Sequence, residues 1–149
     1  MLVTNHVLSG ALIGAVSPGP VSAFAVGVAS HFALDMVPHW GGVDFDEMVP
    51  VGIRDGLVGL AAMAVVHAAT PRERRWRVLA GMSGAAFPDL DKPSTLFFGR
   101  SPFPGWFDRF HVGIQRESRD RMPQEFVVGA ALTAAALLVA RRGSSSALH

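Results

Sequence analysis

The sequence contains neither cysteine nor tyrosine. Without cysteine there are no disulfides and no thiolate ligands, so a metal site in this chain has to use His, Asp, Glu or water. Charged residues make up 17% of the chain, and the formal net charge is +1. Because there is neither a long basic run nor a basic stripe with interleaved aromatic residues, we do not expect nucleic acid as a partner.

Motifs of several common enzyme classes are also missing. The sequence has no G-x-S-x-G, no P-loop and no G-x-G-x-x-G. Serine-hydrolase, nucleotide-binding and dinucleotide-binding functions therefore have no support from motifs. The start of the chain is apolar but lacks a basic region and an A-x-A site, so we do not expect a cleaved signal peptide.

Apolar residues, in contrast, are abundant. Half of the 149 residues are hydrophobic and the mean hydropathy is +0.33, which is more apolar than a soluble domain of this length needs. The length favours one domain, which we place at residues 1–142, followed by a disordered tail, GSSSALH, at 143–149.

Five apolar segments predict helices, at residues 2–16, 20–37, 53–69, 78–87 and 124–140. The fold class is therefore all-α, a bundle of four or five helices embedded in a membrane, with lipid as a partner. In the first segment Gly10 and Gly14 have the spacing that lets helices approach closely. The aromatic residues between Phe97 and Phe110 suit a core, a membrane-interface segment or a lid over an apolar substrate.

A weak internal repeat runs through the first four helices. Gly27 precedes Asp35 by the same interval at which Gly81 precedes Asp89, and each aspartate ends an apolar segment. This pattern indicates two duplicated helical hairpins followed by a C-terminal helix.

The segment SHFALDMVPHW, at 30–40, carries the strongest signal for chemistry. On a helix His31 and Asp35 lie at i and i+4 and project from one face. Pro38 should end the helix, which leaves His39 just beyond its last turn. Imidazole nitrogen and carboxylate oxygen together are typical ligands of zinc or a similar divalent ion.

Antiparallel helices would bring further polar residues to the same end of the bundle. The start of the first helix, the end of the second, the start of the third and the end of the fourth all lie there. The metal ligands that we predict on this basis, with one more from the segment FHVGIQRE, are His6, His31, Asp35, Asp55, Asp89, Asp91 and His111.

Each of these residues also has a simpler interpretation. His31 and Asp35 form a helix-end hydrogen bond in the simplest case, and the aspartates of PDLD are common turn formers. Asp55 suits the first turn of a helix through the macrodipole alone, and His111 suits an exposed surface. Ionisable groups in an apolar helix are nevertheless expensive unless partnered, which favours a functional cluster.

The opposite end of the bundle is basic. It holds His67 and the arginines of TPRERRWR, with Arg141 and Arg142. By the positive-inside rule this end faces the cytoplasm and the metal site faces out. Several apolar runs are shorter than the roughly 20 residues of a normal span, so a soluble all-α protein stays an alternative.

At SHFALDMVPHWG and FPDLD the chain resembles the bacterial membrane-bound metal-dependent hydrolases, small multi-pass proteins of the inner membrane. His6, the pair His31 and Asp35, and the pair Asp89 and Asp91 match that family's N-terminal His, H-x-x-x-D and P-D-x-D elements. The order of the last two is rearranged here, the H-R-G-x-T-H-S run is missing, and Lys92 stands where the family often has histidine.

The resemblance implies hydrolysis of a phosphoester or another ester, in a lipid-like substrate, by a metal-activated water. In that hypothesis the ligands hold zinc, and Asp91 or His39 relays the proton of the water. The alternative is an integral membrane protein without catalysis, in which the polar cluster binds a structural metal or merely joins the helices.

Overall fold

The computed structural model describes residues 1–145 and is almost entirely helical, which confirms the all-α fold class. The α-helices are α1 (Val3–Val16), α2 (Pro20–Asp35), α3 (Phe45–Ala69), α4 (Arg72–Ala86), α5 (Asp91–Phe98), α6 (Gly105–Ile114) and α7 (Met122–Ser145). Two short 3-10 turns precede α5 and α7, at Phe87–Leu90 and Arg119–Arg121. Strands β1 (His39–Trp40) and β2 (Glu117–Ser118) form one short parallel pair.

The first two helices begin and end close to where the sequence predicts. Pro20 occupies the first turn of α2, where its missing N–H costs nothing. The helix ends at Asp35, two residues earlier than predicted, because the residue before Pro38 is driven away from the helical conformation.

Two helix starts were wrong, and two short helices were not predicted. Helix α3 begins at Phe45 rather than at 53, since Asp46 and Glu47 suit its first turn and Pro50 is tolerated inside it. Helix α4 begins at Arg72 rather than at 78, because Arg and Glu are good helix formers directly after Pro71. The segment between the predicted helices at 78–87 and 124–140 contains two short helices, α5 and α6.

Helix α1 lies at the centre of the fold and contacts α2, α3, α4 and α7. Glycines let it approach α4 closely: a Cβ on Gly10 would overlap the backbone of Gly81, and one on Gly14 would overlap that of Val78. The close approach predicted from the spacing of Gly10 and Gly14 is thereby confirmed. Around this contact Val7, Val78 and Met82 form the apolar core.

Helix α3 is exposed along most of its length, and Gly59 is its one buried residue. Its apolar window has a mean hydropathy of 1.6, and within residues 1–145 it is the one helix long and apolar enough to cross a membrane. Helices α1, α2 and α4 have 14, 16 and 15 residues. At 1.5 Å per residue they reach about 21 to 24 Å, less than the roughly 30 Å of a hydrocarbon core.

The C-terminal end departs from the sequence prediction as far as the structure describes it. Helix α7 continues to Ser145 and so includes the first residues of the predicted tail. The rest of that tail, with His149, lies outside the described residues.

Candidate metal centre

Five of the predicted ligands meet at one end of the bundle. His6 comes from the start of α1, His31 and Asp35 from the last turn of α2, Asp89 from the turn after α4, and His111 from α6. Groups of three among them, His6–His31–Asp89 and His31–Asp35–His111, bring donor atoms within 4.8 Å of one another. These buried groups could hold a metal ion.

The carboxylate of Asp35 is the centre of this cluster. Its Oδ1 lies 3.1 Å from His6 Nε2, and its Oδ2 lies 3.1 Å from both His31 Nε2 and His111 Nε2. The Nε2 atoms of His31 and His111 are 2.9 Å apart. His6, His31 and Asp35 have no exposed surface and His111 has 1%, so water is excluded from these contacts.

A hydrogen bond to a backbone carbonyl determines which ring nitrogen of His31 carries no proton. Its Nδ1 lies 2.8 Å from the carbonyl oxygen of Ala85, and since a carbonyl can only accept, Nδ1 donates. The neutral ring then presents the lone pair of Nε2 to Asp35. A histidine that donates its other N–H to a backbone carbonyl is the usual orientation of a metal ligand.

If the histidines are neutral, their ring protons are too few to make a hydrogen bond in every contact among His31, His111 and Asp35. His111 can donate one proton from Nε2, either to His31 or to Asp35, and the remaining close contact then joins two lone pairs. One cation between the atoms would satisfy all of them. Donors of a tetrahedral zinc site, each 2.0 to 2.1 Å from the ion, lie about 3.3 Å apart. The separations of 2.9 to 3.1 Å among His31, Asp35 and His111 match that within a few tenths of an ångström, so these three residues could hold a metal ion of that size.

Asp89 and Asp91 form the outer edge of the cluster. Their side chains are 12% and 15% exposed, and together with His111 they make a third group of donor atoms within 4.8 Å. Lys92 Nζ lies 2.7 Å from Asp89 Oδ1. Burial alone would raise the pKa of Asp89, but Lys92 and the nearby histidines outweigh it and lower that pKa to about 2.

Two further groups reach Asp35. The amino group of Met1 lies 2.7 Å from Oδ1, and Gln115 Nε2 donates to Oδ2 over 3.3 Å. Gln115 follows His111 by four residues, and the same amide nitrogen lies 3.3 Å from His111 Nε2. Gln115 directly follows the end of α6, and its spacing of four residues from His111 was the signal that could have added it to the site.

Asp55 lies outside the three donor groups. Its carboxylate accepts the backbone N–H groups of Val3 and Thr4, and the Thr4 hydroxyl over 2.6 Å. Because α3 begins earlier than predicted, Asp55 lies well inside that helix rather than in its first turn. Here it satisfies the free N–H groups at the start of α1, a capping role.

His39 is buried but also lies outside the three groups. Its Nδ1 donates to the carbonyl oxygen of Val37 over 2.8 Å, and its Nε2 has no hydrogen-bond partner in the part of the chain that the structure describes. Its part in proton relay stays a prediction. His67, at the other end, packs edge-to-face against Trp76.

Glu125 is a structural residue of this end that the sequence did not reveal. It is 2% exposed and accepts hydrogen bonds from the backbone of Leu2 and Trp40 and from the side chain of Asn5. It thereby ties α7 to the start of α1 and to β1. In the sequence it is one polar residue at the start of an apolar helix, and nothing marks it as buried.

Aromatic side chains surround His111. The ring of Phe32 packs edge-to-face on it, and Phe107 lies 6.2 Å from it. Other aromatic residues of α5 and α6 point outward, with Phe97, Phe98 and Trp106 at least 65% exposed. Asp91 is the first residue of α5, so the outer edge of the cluster and the exposed Phe97 and Phe98 belong to the two ends of one short helix.

No family model, curated protein or solved structure matches this chain. The resemblance to membrane-bound metal-dependent hydrolases stays a prediction.

Proposed function

We propose that the chain is a membrane-bound, metal-dependent hydrolase that acts on a phosphoester or another ester of a lipid-like substrate. One observation carries the proposal: the Nε2 atoms of three histidines from three helices converge on the carboxylate of Asp35. Such a set of neutral nitrogens and one carboxylate is a donor set for zinc.

The residues that would hold the ion are His6, His31, Asp35 and His111. A zinc ion held there supplies a Lewis acid that lowers the pKa of water and polarises an ester oxygen. The remaining steps belong to side chains at the outer edge. We assign to Asp91, which is 15% exposed, the acceptance of a proton from the attacking water. Asp89 is a poor base at neutral pH because its pKa is about 2.

Lys92 supports binding of an anionic substrate at the same edge. Burial lowers the pKa of Lys92, but the carboxylates of Asp89 and Asp91 outweigh this effect and hold the pKa above its ordinary value. The side chain is 45% exposed, so its charge reaches solvent. A phosphoester oxygen that approaches Asp91 therefore meets a fixed positive charge.

Location in the inner membrane of a bacterium, with several spans and the centre on the outer face, is part of the proposal. Exposed apolar side chains support it: Leu57, Leu60 and Val65 of α3 are more than 60% exposed, as are Phe126 and Val127 of α7. Contiguous apolar surface of this kind marks contact with lipid or with another protein. The short helices α1, α2 and α4 would need a locally thinned bilayer.

The function is tested with purified protein from which any affinity tag has been removed. We expect stoichiometric zinc by elemental analysis, and hydrolysis of bis(p-nitrophenyl) phosphate or of phospholipid in mixed micelles. Chelation should abolish hydrolysis and zinc should restore it. The matched variants are His31→Ala, which should be inactive, and His67→Ala, which should be active. Protein without metal would contradict the proposal.

A structural metal site is the second candidate, and the depth of the cluster favours it. Three of the four ligands have no exposed surface, and closed sites without an open position are typical of structural zinc. Metal that stabilises the fold while every ester tested stays intact would decide for this alternative.

A further inference from the structure

The Asp89 and Asp91 pair already has a cation from its own chain. Lys92 Nζ lies 2.7 Å from Asp89 Oδ1 and 3.5 Å from Asp91 Oδ1. Lys92 is the one lysine among the 13 basic residues of the sequence. Its ammonium is a compact point charge, which resembles a metal ion more closely than the planar guanidinium of arginine does.

His111 stands between this pair and the buried ligands. Its Nε2 belongs to the inner group with His31 and Asp35. Its Nδ1 is buried, has no hydrogen-bond partner within residues 1–145, and lies 3.9 Å from Asp91 Oδ2.

A neutral imidazole has one nitrogen with a free lone pair, so His111 can serve one ion and not two. If Nε2 binds the inner ion, Nδ1 carries the proton and directs it toward Asp91. A carboxylate behind the far nitrogen of a ligating histidine is a common orienting arrangement. His111 can therefore bind one metal ion, through Nε2.

We propose that the centre holds a single divalent ion, at His6, His31, Asp35 and His111, and that the Lys92 ammonium takes the place of a second ion between Asp89 and Asp91. This inference rests on the proposed metal-dependent function for the existence of the first ion. The carboxylates of Asp89 and Asp91, whose oxygens lie within 4.8 Å of each other, would otherwise be free to bind a second ion.

The proposal makes the metal count depend on Lys92. Without the ammonium, Asp89 and Asp91 are two adjacent carboxylates with no cation between them, and such a pair attracts a divalent ion. We therefore expect one bound ion in the unchanged protein and two in Lys92→Ala. Lys92→Arg keeps the positive charge and should still hold one.

The experiment uses the full chain, freed of any tag, saturated with Zn²⁺ and passed through a desalting column before elemental analysis. Loading with Mn²⁺ and recording electron paramagnetic resonance spectra gives a readout that does not depend on activity. A pair of Mn²⁺ ions a few ångström apart should show spin coupling in Lys92→Ala, and the unchanged protein should show an isolated ion.

Four outcomes are distinct. Two ions in the unchanged protein, or one in folded Lys92→Ala, would overturn the inference while leaving the metal-dependent function intact. No ion in any variant would refute the function itself. The double variant Lys92→Ala, Asp91→Asn should return to one ion. If it still holds two, the extra ion is elsewhere and the inference is wrong.

Discussion

The two ends of this bundle both collect polar side chains, but the partners of those side chains differ. At the end with the metal centre, side chains meet other side chains: three histidines share the carboxylate of Asp35. At the opposite end, arginines meet backbone. Arg77 donates to the carbonyl oxygen of Ser17 over 2.9 Å, and Arg75 lies 3.4 Å from that of Thr70.

The nature of the partners distinguishes a cluster that could bind a metal ion from side chains that only cap helices. Ser17 and Thr70 follow the last residues of α1 and α3, where free carbonyls and the negative end of the macrodipole favour cations. The arginines of the chain itself supply these cations. At the centre the rings and the carboxylate present more lone pairs than protons, so that end could hold a metal ion. Clustering of polar residues alone does not distinguish these cases.

The largest effect that would test this comparison is loss of metal. His31→Ala removes the nitrogen that lies 2.9 Å from His111 and 3.1 Å from Asp35. We expect metal affinity to fall by more than about 100-fold, since a direct ligand contributes more than an outer partner. The measurement is isothermal titration with Zn²⁺ or competition with a chromophoric chelator.

His67→Ala is the matched control, because it removes a histidine from the basic end. Its affinity should be unchanged. Equal loss in both variants would mean that the metal binds elsewhere, and the two ends would not differ as described.

The second effect concerns the stability of the metal end. Glu125→Ala leaves the N–H groups of Leu2 and Trp40 without their acceptor and removes one of the two acceptors of the Asn5 side-chain amide, which keeps the backbone carbonyl of residue 125. Unsatisfied buried donors cost about 1 to 3 kcal/mol each, so we expect the free energy of unfolding to fall by about 3 kcal/mol or more. Chemical denaturation of the variant and of the unchanged protein, both in one detergent or buffer, measures the difference in free energy of unfolding.

Glu117→Ala is the comparison for Glu125, because Glu117 is exposed and accepts one bond, from the N–H of Gly42. Its effect should stay within about 0.5 kcal/mol. A small effect of Glu125→Ala as well would show that the start of α1 is held by Asp55 and apolar packing instead.

The sequence predicts those parts of the centre that follow from helix ends. His6, His31 and Asp89 lie where antiparallel helices must begin or end, so connection order alone brings them together. Spacing on one helix likewise places Asp35 one turn after His31. These inferences need no knowledge of packing, which is why they agree with the structure.

Other parts depend on packing that a sequence pattern does not encode. Helix α6 has ten residues, too few for a clear apolar period, so His111 was predicted as a ligand from its segment but the helix that brings it to the centre was not predicted. Burial of Glu125 depends on the contact of α7 with α1 and β1. Asp55 has the same charge as Asp35, but only the fold shows that its oxygens are occupied by Val3 and Thr4.

A third prediction tests whether Asp91 acts through His111. Asp91→Asn removes the charge that lies 3.9 Å from His111 Nδ1 but leaves the four proposed ligands unchanged. Loss of such an outer partner typically weakens metal binding by about 10 to 100-fold. We expect that range in the zinc titration. Glu47→Gln, which removes a carboxylate on an exposed ion pair with Arg119, is the control and should bind zinc as before.

The smallest effect is expected at the basic end. Arg77→Met keeps the apolar stem of the side chain but loses the bond to the carbonyl of Ser17 and a cation at the end of α1. The free energy of unfolding should fall by about 1 kcal/mol, while zinc affinity stays the same. Arg72→Met, at an exposed position on the same helix, should change neither. If Arg77→Met lowered zinc affinity, the C-terminal end of α1 would be coupled to His6 through the helix, and the two ends could not be treated as independent sites with different partners.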